Sequence, residues 1–149
     1  SRVIGRTVTV LDTITGPSPV EIGVKPGSDL PLHASAQGKI ALAFSRRGLL
    51  TALRRQKLTA MTDRTVTDIA VLEQQVAAVR VAGWAGAYEE MMLGINGIAV
   101  PVFDEAGECV ASLAVVGSIQ FVPEQPGDLL LGPLIESGNA MSTALGYRP

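Results

Sequence analysis

The chain has 149 residues, 47% of them hydrophobic and 17% charged, which is typical of one folded domain with its own core. Its net charge of −2 argues against nucleic-acid binding by this chain itself, because such binding needs Lys and Arg concentrated on one face. One cysteine excludes an internal disulfide framework and no apolar run is long enough to span a bilayer, so we expect a cytoplasmic protein without membrane contact.

The first part of the chain is predicted to form two strands and a capped helix. Residues 2–14 (RVIGRTVTVLDTI) alternate and are rich in β-branched side chains, which predicts a strand. A turn at 16–19 (GPSP) and a second strand at 20–24 (VEIGV) follow. In the next stretch, LPLHASAQGKIALAF, Ser35 is placed to cap a helix over 36–44.

A short helix over 48–56 carries the most basic part of the chain. Its charges surround an apolar stripe at helical spacing, so a solvated helix face is favoured over a phosphate site. The basic residues are Arg46, Arg47, Arg54, Arg55 and Lys57.

The clearest helix begins after Thr67 or Asp68, either of which can cap it, and ends at Gly83. One apolar stripe runs along it at the spacing of a helix that packs on a core. The stripe consists of Ile69, Leu72, Val76 and Val79.

Three strands and a helix complete the chain. Residues 84–90 (WAGAYEE) predict a short strand, and 98–117 predict a hairpin in which Pro101 lies at an edge or beside a bulge. The last helix stops at Gly146, and Pro133 starts its main body or kinks it. The order β-β-α-α-α-β-β-β-α indicates an α+β domain on a mostly antiparallel sheet and argues against a Rossmann-type fold.

Candidates for catalysis or metal binding are few. His33 is the sole histidine, so a catalytic dyad with Cys109 requires the fold to bring the two together. His33 stands just before a helix, where fixing the loop by hydrogen bonds is favoured, and Cys109 begins an apolar strand as a buried hydrophobic residue. One His and one Cys do not make a zinc site. We therefore predict no catalytic residue, metal or cofactor, with an enzyme using His33 or Cys109 as the alternative.

Adjacent acidic residues end the predicted strand at 84–90. Glu89 and Glu90 point to opposite faces of a strand and cannot act as a paired acid and base. A solvated strand end is favoured, and the alternative is that one of the two is buried and paired.

Several motifs resemble, in the same order, the effector-binding domain of IclR-type (isocitrate-lyase-regulator type) bacterial transcription factors. They are LPLHASAQGKIALA, LTAMTDRTVTD, VRVAGWAGAYEE, GINGIAVPVFDEAGECVASLAVVG and the closing MSTALGYRP. Each motif alone is modest, but their order and spacing together are specific and cover almost the whole chain.

The resemblance implies a GAF-like domain, a curved antiparallel sheet with helices on one side and a small-molecule pocket on the other. It also implies that residues 1–149 are the effector half of a regulator whose N-terminal winged helix-turn-helix domain lies outside this chain. DNA binding is then expected only through that missing domain. A small-molecule effector and a homodimer or homotetramer are the expected partners, and a pure dimerisation module is a further alternative.

Matching motif to motif places the family's pocket on particular residues of this chain. With Ser35 at the pocket's mouth, these effector-binding positions are Ala36, Gln37, Ala87, Ile95, Gly97, Ala114 and Val116. Strand alternation independently puts Ser112, Ala114 and Val116 on one face. Ordinary sheet core is the alternative for each of these residues.

The side chains at these positions indicate the ligand's chemistry. Ala87, Gly97, Ala114 and Val116 have no polar side chain, whereas family members that bind small organic acids place polar groups at several such positions. Gln37, backbone amides and Ser35 or Ser112 remain to hold a carboxylate. We therefore expect a larger, partly apolar organic acid, such as an aromatic acid.

Overall fold

The structure, a computed structural model, describes residues 1–5, 7–16, 24–45 and 48–148. Six strands and four helices lie within these ranges. In chain order they are β1 Arg2–Ile4, β2 Thr7–Thr9, β3 Asp29–Leu30, α1 Ala36–Phe44, α2 Leu49–Leu53, α3 Ile69–Ala82, β4 Ala85–Tyr88, β5 Ile95–Phe103, β6 Cys109–Ser118 and α4 Asp128–Ala144.

The prediction of a single N-terminal strand is wrong, because the structure has two strands there, β1 and β2. Gly5 takes the left-handed conformation (φ 62°) that favours glycine and turns the chain between β1 and β2. β3, which the sequence did not predict, pairs with β2 through Val8 and Leu30. The predicted turn at 16–19 and strand at 20–24 lie almost wholly outside the described residues.

The predicted C-terminal hairpin is confirmed as β5 and β6, with β4 antiparallel on the other side of β5. The separate sheet β1–β2–β3 lies beside β6, where Ser1, the residue before β1, and Ser112 exchange two backbone hydrogen bonds of 2.9 and 2.8 Å. Pro101 lies beside a register shift between Val102 and Phe103, as expected for a residue that cannot donate to a sheet.

The predicted limits of α1 and α3 are confirmed by their caps. Ser35 Oγ accepts the Gly38 N–H at 3.0 Å before α1. Of the two candidate caps of α3 it is Asp68 that accepts the Ala70 N–H, at 2.7 Å. Gly83 ends α3 with a φ of 77°.

Helix α2 is shorter than predicted, because the chain tightens after it into a turn in which Gln56 N–H donates to the Leu53 carbonyl at 2.9 Å. Leu49 and Leu53 form the buried side of α2. The basic residues that the structure describes here are exposed, as predicted for a solvated helix face: Arg54, Arg55 and Lys57. Arg46 and Arg47 lie outside the described residues.

Helix α4 begins earlier than its proline. Pro133 lies inside it, one turn past its start at Asp128, so the start of the helix is not set by the proline. Ser142 ties α4 to the sheet, because its Oγ accepts the Phe103 N–H at 3.0 Å. Gly146 follows the helix with a φ of 87°, which confirms the predicted stop.

Helices cover both faces of the β4–β5–β6 sheet. α1 packs on one face with α3 behind it, and α4 packs on the other. β5 has consecutive buried residues and so needs cover on both faces. The predicted α+β class with an antiparallel sheet is confirmed, but the one-sided arrangement of helices implied by the resemblance is wrong.

Candidate functional site

A cleft of about 350 Å³, open on one side, lies where the start of α1 approaches the sheet. The loop before α1, the first residues of α1 and all three strands of the C-terminal sheet contribute to its walls. The lining residues are Val24, Leu30, Ala34, Ser35, Ala36, Gln37, Ala87, Met91, Ile95, Asn96, Gly97 and Val116.

One cross-strand row forms the floor of the cleft. Ala87 on β4 pairs with Gly97 on β5, which pairs with Val116 on β6. A Cβ placed on Gly97 would lie 3.6 Å from Val116 Cγ2 and 3.8 Å from Ala36 Cβ, which is ordinary contact distance. The structure therefore brings these four predicted residues together.

Ala114 is the one predicted site residue that does not line the cleft. It belongs to the next row, in which Ala85, Ala99 and Ala114 pair across the sheet and pack into the core beneath α1. Strand alternation assigned Ala114 to the correct face of the sheet, but Ala114 lies one row along the strand from the residues that line the cleft. Ser112, on the same face, lines a second cleft of about 210 Å³.

The loop before α1 is fixed by hydrogen bonds that the sequence partly predicts. Ser35 Oγ donates to the Pro31 carbonyl at 2.7 Å while it caps the helix. His33 Nε2 lies 3.0 Å from the Thr59 carbonyl oxygen, which confirms its role in holding the loop. Gly38 is required here, because a Cβ would lie 2.5 Å from the carbonyl oxygens of Pro31 and Leu32.

Of the three polar side chains in the lining, two are already engaged. Ser35 uses its hydroxyl as described, and Asn96 donates to the Val122 carbonyl and accepts from the Glu89 N–H. Gln37 is different, because its side chain makes no hydrogen bond to the described residues and borders the open cleft. It also lines the second cleft.

The sequence did not identify every residue of the cleft. Ala34 and Asn96 are adjacent in sequence to predicted site residues, and Leu30 begins the motif that contains Ser35. Val24 and Met91 have no local signal, because only the folded chain brings them to the cleft.

Glu90 is buried and paired, so the favoured prediction of a solvated strand end is wrong for it. Glu90 is 5% exposed, and its Oε1 accepts a hydrogen bond of 2.5 Å from Lys39 Nζ on α1. Lys39 also donates to the Gly86 carbonyl at 3.2 Å. Burial lowers the pKa of Lys39, and the charge of Glu90 opposes that shift. The pair fastens α1 to the segment after β4.

The backbone conformation of Glu89 explains why β4 ends before Glu89 and Glu90. Its φ of 56° is in the left-handed region, so β4 ends at Tyr88 and the two glutamates do not alternate as in a strand. Glu89 Oε1 accepts the Gly94 N–H at 2.8 Å, and Oε2 accepts from Arg64 at 2.9 Å. The carboxylate thus closes the loop that leads into β5.

His33 and Cys109 make separate contacts. Cys109 Sγ donates to the Ala111 carbonyl at 3.4 Å on β6, whereas His33 is engaged with Thr59. Burial raises the pKa of the Cys109 thiol to about 11, against smaller opposing effects of backbone hydrogen bonds. A thiol with that pKa is a poor nucleophile at neutral pH.

Two further features of the described residues bear on function. No group of three His, Cys, Asp or Glu side chains within the described ranges is arranged to hold a metal ion. Among the helices formed by those residues, none has the length and apolar character needed to span a bilayer.

The sequence and the fold of this chain match one family of bacterial proteins. The family model described as "Bacterial transcriptional regulator IclR C-terminal" matches residues 2–143. The chain therefore belongs to the IclR family, as its C-terminal domain.

Individual relatives agree with this assignment. The HTH-type transcriptional regulator BhcR of Paracoccus denitrificans is 35% identical over 124 residues, which cover 83% of this chain and 44% of that protein. The chain thus spans less than half the length of this curated relative. IclR of Thermotoga maritima superposes with a TM-score of 0.89 at 28% identity, covering 98% of this chain and 60% of that one.

A relative with a bound ligand is also similar. A double mutant of the inducer-binding domain of PobR from Acinetobacter, in complex with 3-hydroxybenzoic acid, has a TM-score of 0.72 at 28% identity. The match covers 84% of this chain and 73% of that one.

Proposed function

We propose that this chain is the ligand-sensing domain of an IclR-type transcription factor and that its cleft binds a small, partly apolar organic acid, such as an aromatic acid. The effector-binding residues are then Ser35, Ala36, Gln37, Ala87, Ile95, Gly97 and Val116, with Ala114 supporting them from the adjacent row.

The observation that carries the proposal is the unengaged amide of Gln37. The Gln37 side chain borders the open cleft and makes no hydrogen bond to the described residues, so its amide is free to bind a polar group of a ligand there. The rest of the cleft is mostly apolar, and no Lys, Arg or His side chain is among its described lining residues. This is the pattern of a site that binds an apolar body by contact and orients it by few polar groups.

The N-terminus of α1 offers backbone hydrogen-bond donors to the acid group of the ligand. The first backbone N–H groups of a helix have no partner within the helix and carry partial positive charge. The Gly38 N–H is taken by Ser35 Oγ and the Lys39 N–H by the Ser35 carbonyl. The amides of Ala36 and Gln37 are then the donors available to a carboxylate in the cleft.

We further propose the setting in which this domain works. It acts in the cytoplasm as a homodimer or homotetramer, and ligand binding is coupled to DNA affinity through an N-terminal winged helix-turn-helix domain outside this chain. It performs no catalysis, because Cys109 stays protonated at neutral pH and His33 is engaged in holding the loop.

Thermal melting in the presence of 3-hydroxybenzoate and of acetate tests the ligand proposal. We expect the aromatic acid to raise the melting temperature of the wild-type chain and acetate to leave it unchanged, because specific binding stabilises the folded state. Gln37→Leu should weaken binding about tenfold, the loss of one hydrogen bond to a charged group. Gln56→Leu, at an exposed position away from the cleft, is the control. Equal affinity of Gln37→Leu and wild type would contradict the role of Gln37.

A further inference from the structure

The second cleft, of about 210 Å³, borders the same helix as the cleft proposed to bind the effector, which we call the first cleft. Its walls come from β1, β2, one side of α1 and the first half of β6. Among the described lining residues Gln37 is shared by the two clefts. Since Gln37 is the second residue of α1, the clefts meet at the first turn of that helix.

The two clefts also lie side by side along β6. Val116 in the first cleft and Ser112 in the second are four residues apart on the face toward α1, about 13 Å at the usual rise of a strand. Ala114 lies between them and is only partly buried, so its small side chain leaves the surface between the clefts partly open. On the opposite wall Leu30 of the first cleft pairs with Val8 of the second.

Ser112 supplies a free hydroxyl at the far end of this path. The residue is 7% exposed, and its backbone N–H and carbonyl are bonded to Ser1, but its hydroxyl makes no hydrogen bond to the described residues. Because Ser112 lines the second cleft, the hydroxyl is free to bind a polar group there. Arg2 is the single charged residue among the described lining of this cleft, and it is exposed. A group bound beside Ser112 is therefore expected to be polar and uncharged, since burying a charge without a partner is costly.

We infer that the effector extends from the first cleft past Gln37 into the second, and that it is an elongated aromatic acid with a hydroxyl group at the end remote from its carboxylate. This rests on the proposed function and narrows its ligand class. The carboxylate binds at the first amides of α1, the aromatic body lies over Val116 and Ala114, and the far hydroxyl bonds to Ser112. The Gln37 side chain, which borders both clefts, contacts the middle of the ligand.

Calorimetric titration with 4-hydroxycinnamate and with cinnamate tests the contact with Ser112. 4-Hydroxycinnamate is longer than a hydroxybenzoate by a vinyl group, and cinnamate lacks only the far hydroxyl. The wild type should bind 4-hydroxycinnamate about fivefold more tightly than cinnamate, the effect of one hydrogen bond between uncharged groups. Ser112→Ala should abolish this preference and leave the affinity for cinnamate unchanged. Ser137→Ala, at an exposed position of α4 on the other side of the sheet, is the matched control and should keep the preference.

Ser112→Val tests the second cleft itself, because the larger side chain fills part of it. The affinity for 4-hydroxycinnamate should fall at least tenfold, whereas the affinity for 3-hydroxybenzoate, which the first cleft accommodates, should stay within about twofold of wild type. A melting temperature close to wild type shows that the variant is folded. Should Ser112→Val not fold, the preference lost in Ser112→Ala still decides the inference.

The outcomes separate this inference from the proposed function. A wild type that binds 3-hydroxybenzoate but does not prefer 4-hydroxycinnamate to cinnamate overturns the extended site and leaves the proposed function. A preference that survives in Ser112→Ala, or an equal loss of affinity for the short and the long acid in Ser112→Val, also overturns the extended site. A wild type that binds none of the three acids overturns the proposed function and this inference together.

Discussion

The two faces of the β4–β5–β6 sheet are built from side chains of different size. The face toward α4 carries large ones that pack with the helix: Trp84, Tyr88, Ile98, Val100, Leu113 and Val115. Apart from Val116, the face toward α1 carries mostly small side chains in the same strands: Ala85, Ala87, Gly97, Ala99, Ser112 and Ala114. Adjacent residues of one strand thus pack into a filled core on one face of the sheet and line a cleft on the other.

The difference shows how a sheet can hold a cavity without losing stability. Side chains alternate across a strand, so one face can be filled independently of the other. The α4 face is held mainly by apolar packing, with one hydrogen bond from the Phe103 N–H to Ser142 Oγ. The α1 face, with less packing volume near the cleft, is also held by the buried Lys39–Glu90 ion pair and by the hydrogen bonds of Ser35. Breaking these polar ties should therefore affect the two faces unequally.

The largest loss of stability is expected from Glu90→Gln. It leaves the Lys39 ammonium buried without an opposing charge, a change that costs about 3–5 kcal/mol at neutral pH. The double variant Lys39→Met with Glu90→Leu removes both charges and should recover most of that free energy. Chemical denaturation measures the free energy of unfolding of the wild type, the single variant and the double variant. A single variant within 1 kcal/mol of wild type, on the order of experimental scatter, would show that the pair does not hold this face.

The same variant should depend on pH in a defined direction. The pKa of Lys39 is lowered in the folded state, so the unfolded chain binds more protons at pH values below 10.5. The free energy of unfolding of Glu90→Gln should therefore rise as pH is raised from about 7 to about 10, more steeply than in wild type, because the opposing charge is gone. The double variant, which has no titrating group there, should lack the added slope.

Gly38→Ala should have the next largest effect. The new Cβ would meet the carbonyl oxygens of Pro31 and Leu32 at 2.5 Å, and backbone atoms cannot move aside as a flexible side chain can. We expect a loss of about 3 kcal/mol and a displaced loop at the cleft. Gly97→Ala is the control, because its Cβ would have ordinary contacts and should cost little. Equal melting temperatures for the two variants would contradict the close approach at Gly38.

A pair of identical substitutions compares the faces directly and should have the smallest effect. Val100→Ala, in the filled core toward α4, should cost about 2 kcal/mol. Val116→Ala, on the cleft floor, should cost less than about 1 kcal/mol, because much of the valine surface faces open space. Its effect should appear instead in the affinity for 3-hydroxybenzoate. A larger stability loss for Val116→Ala would mean that this row is packed core.

Most of what the sequence predicted correctly depends on local signals. The limits of α3 follow from Asp68 and Gly83, and the cap of α1 follows from Ser35. The floor of the cleft was predicted from the family resemblance, which placed Ala87, Gly97 and Val116 in the pocket, and alternation supported the face assigned to Val116. Ala114 shows the limit of that rule, since alternation gives the face and not the distance along it.

The sequence by itself determined the order of the helices and strands from α1 onward, which side chains share a face, and, through its motifs, the family. Those features arise from helix caps, turn residues and periodicity, which act within a few residues. Only the tertiary structure decided that Lys39 meets Glu90, 51 residues later, that Met91 and Val24 close the cleft, and that the Gln37 amide is left without a partner. Such contacts join distant parts of the chain, and their existence depends on how the whole domain packs rather than on any local preference.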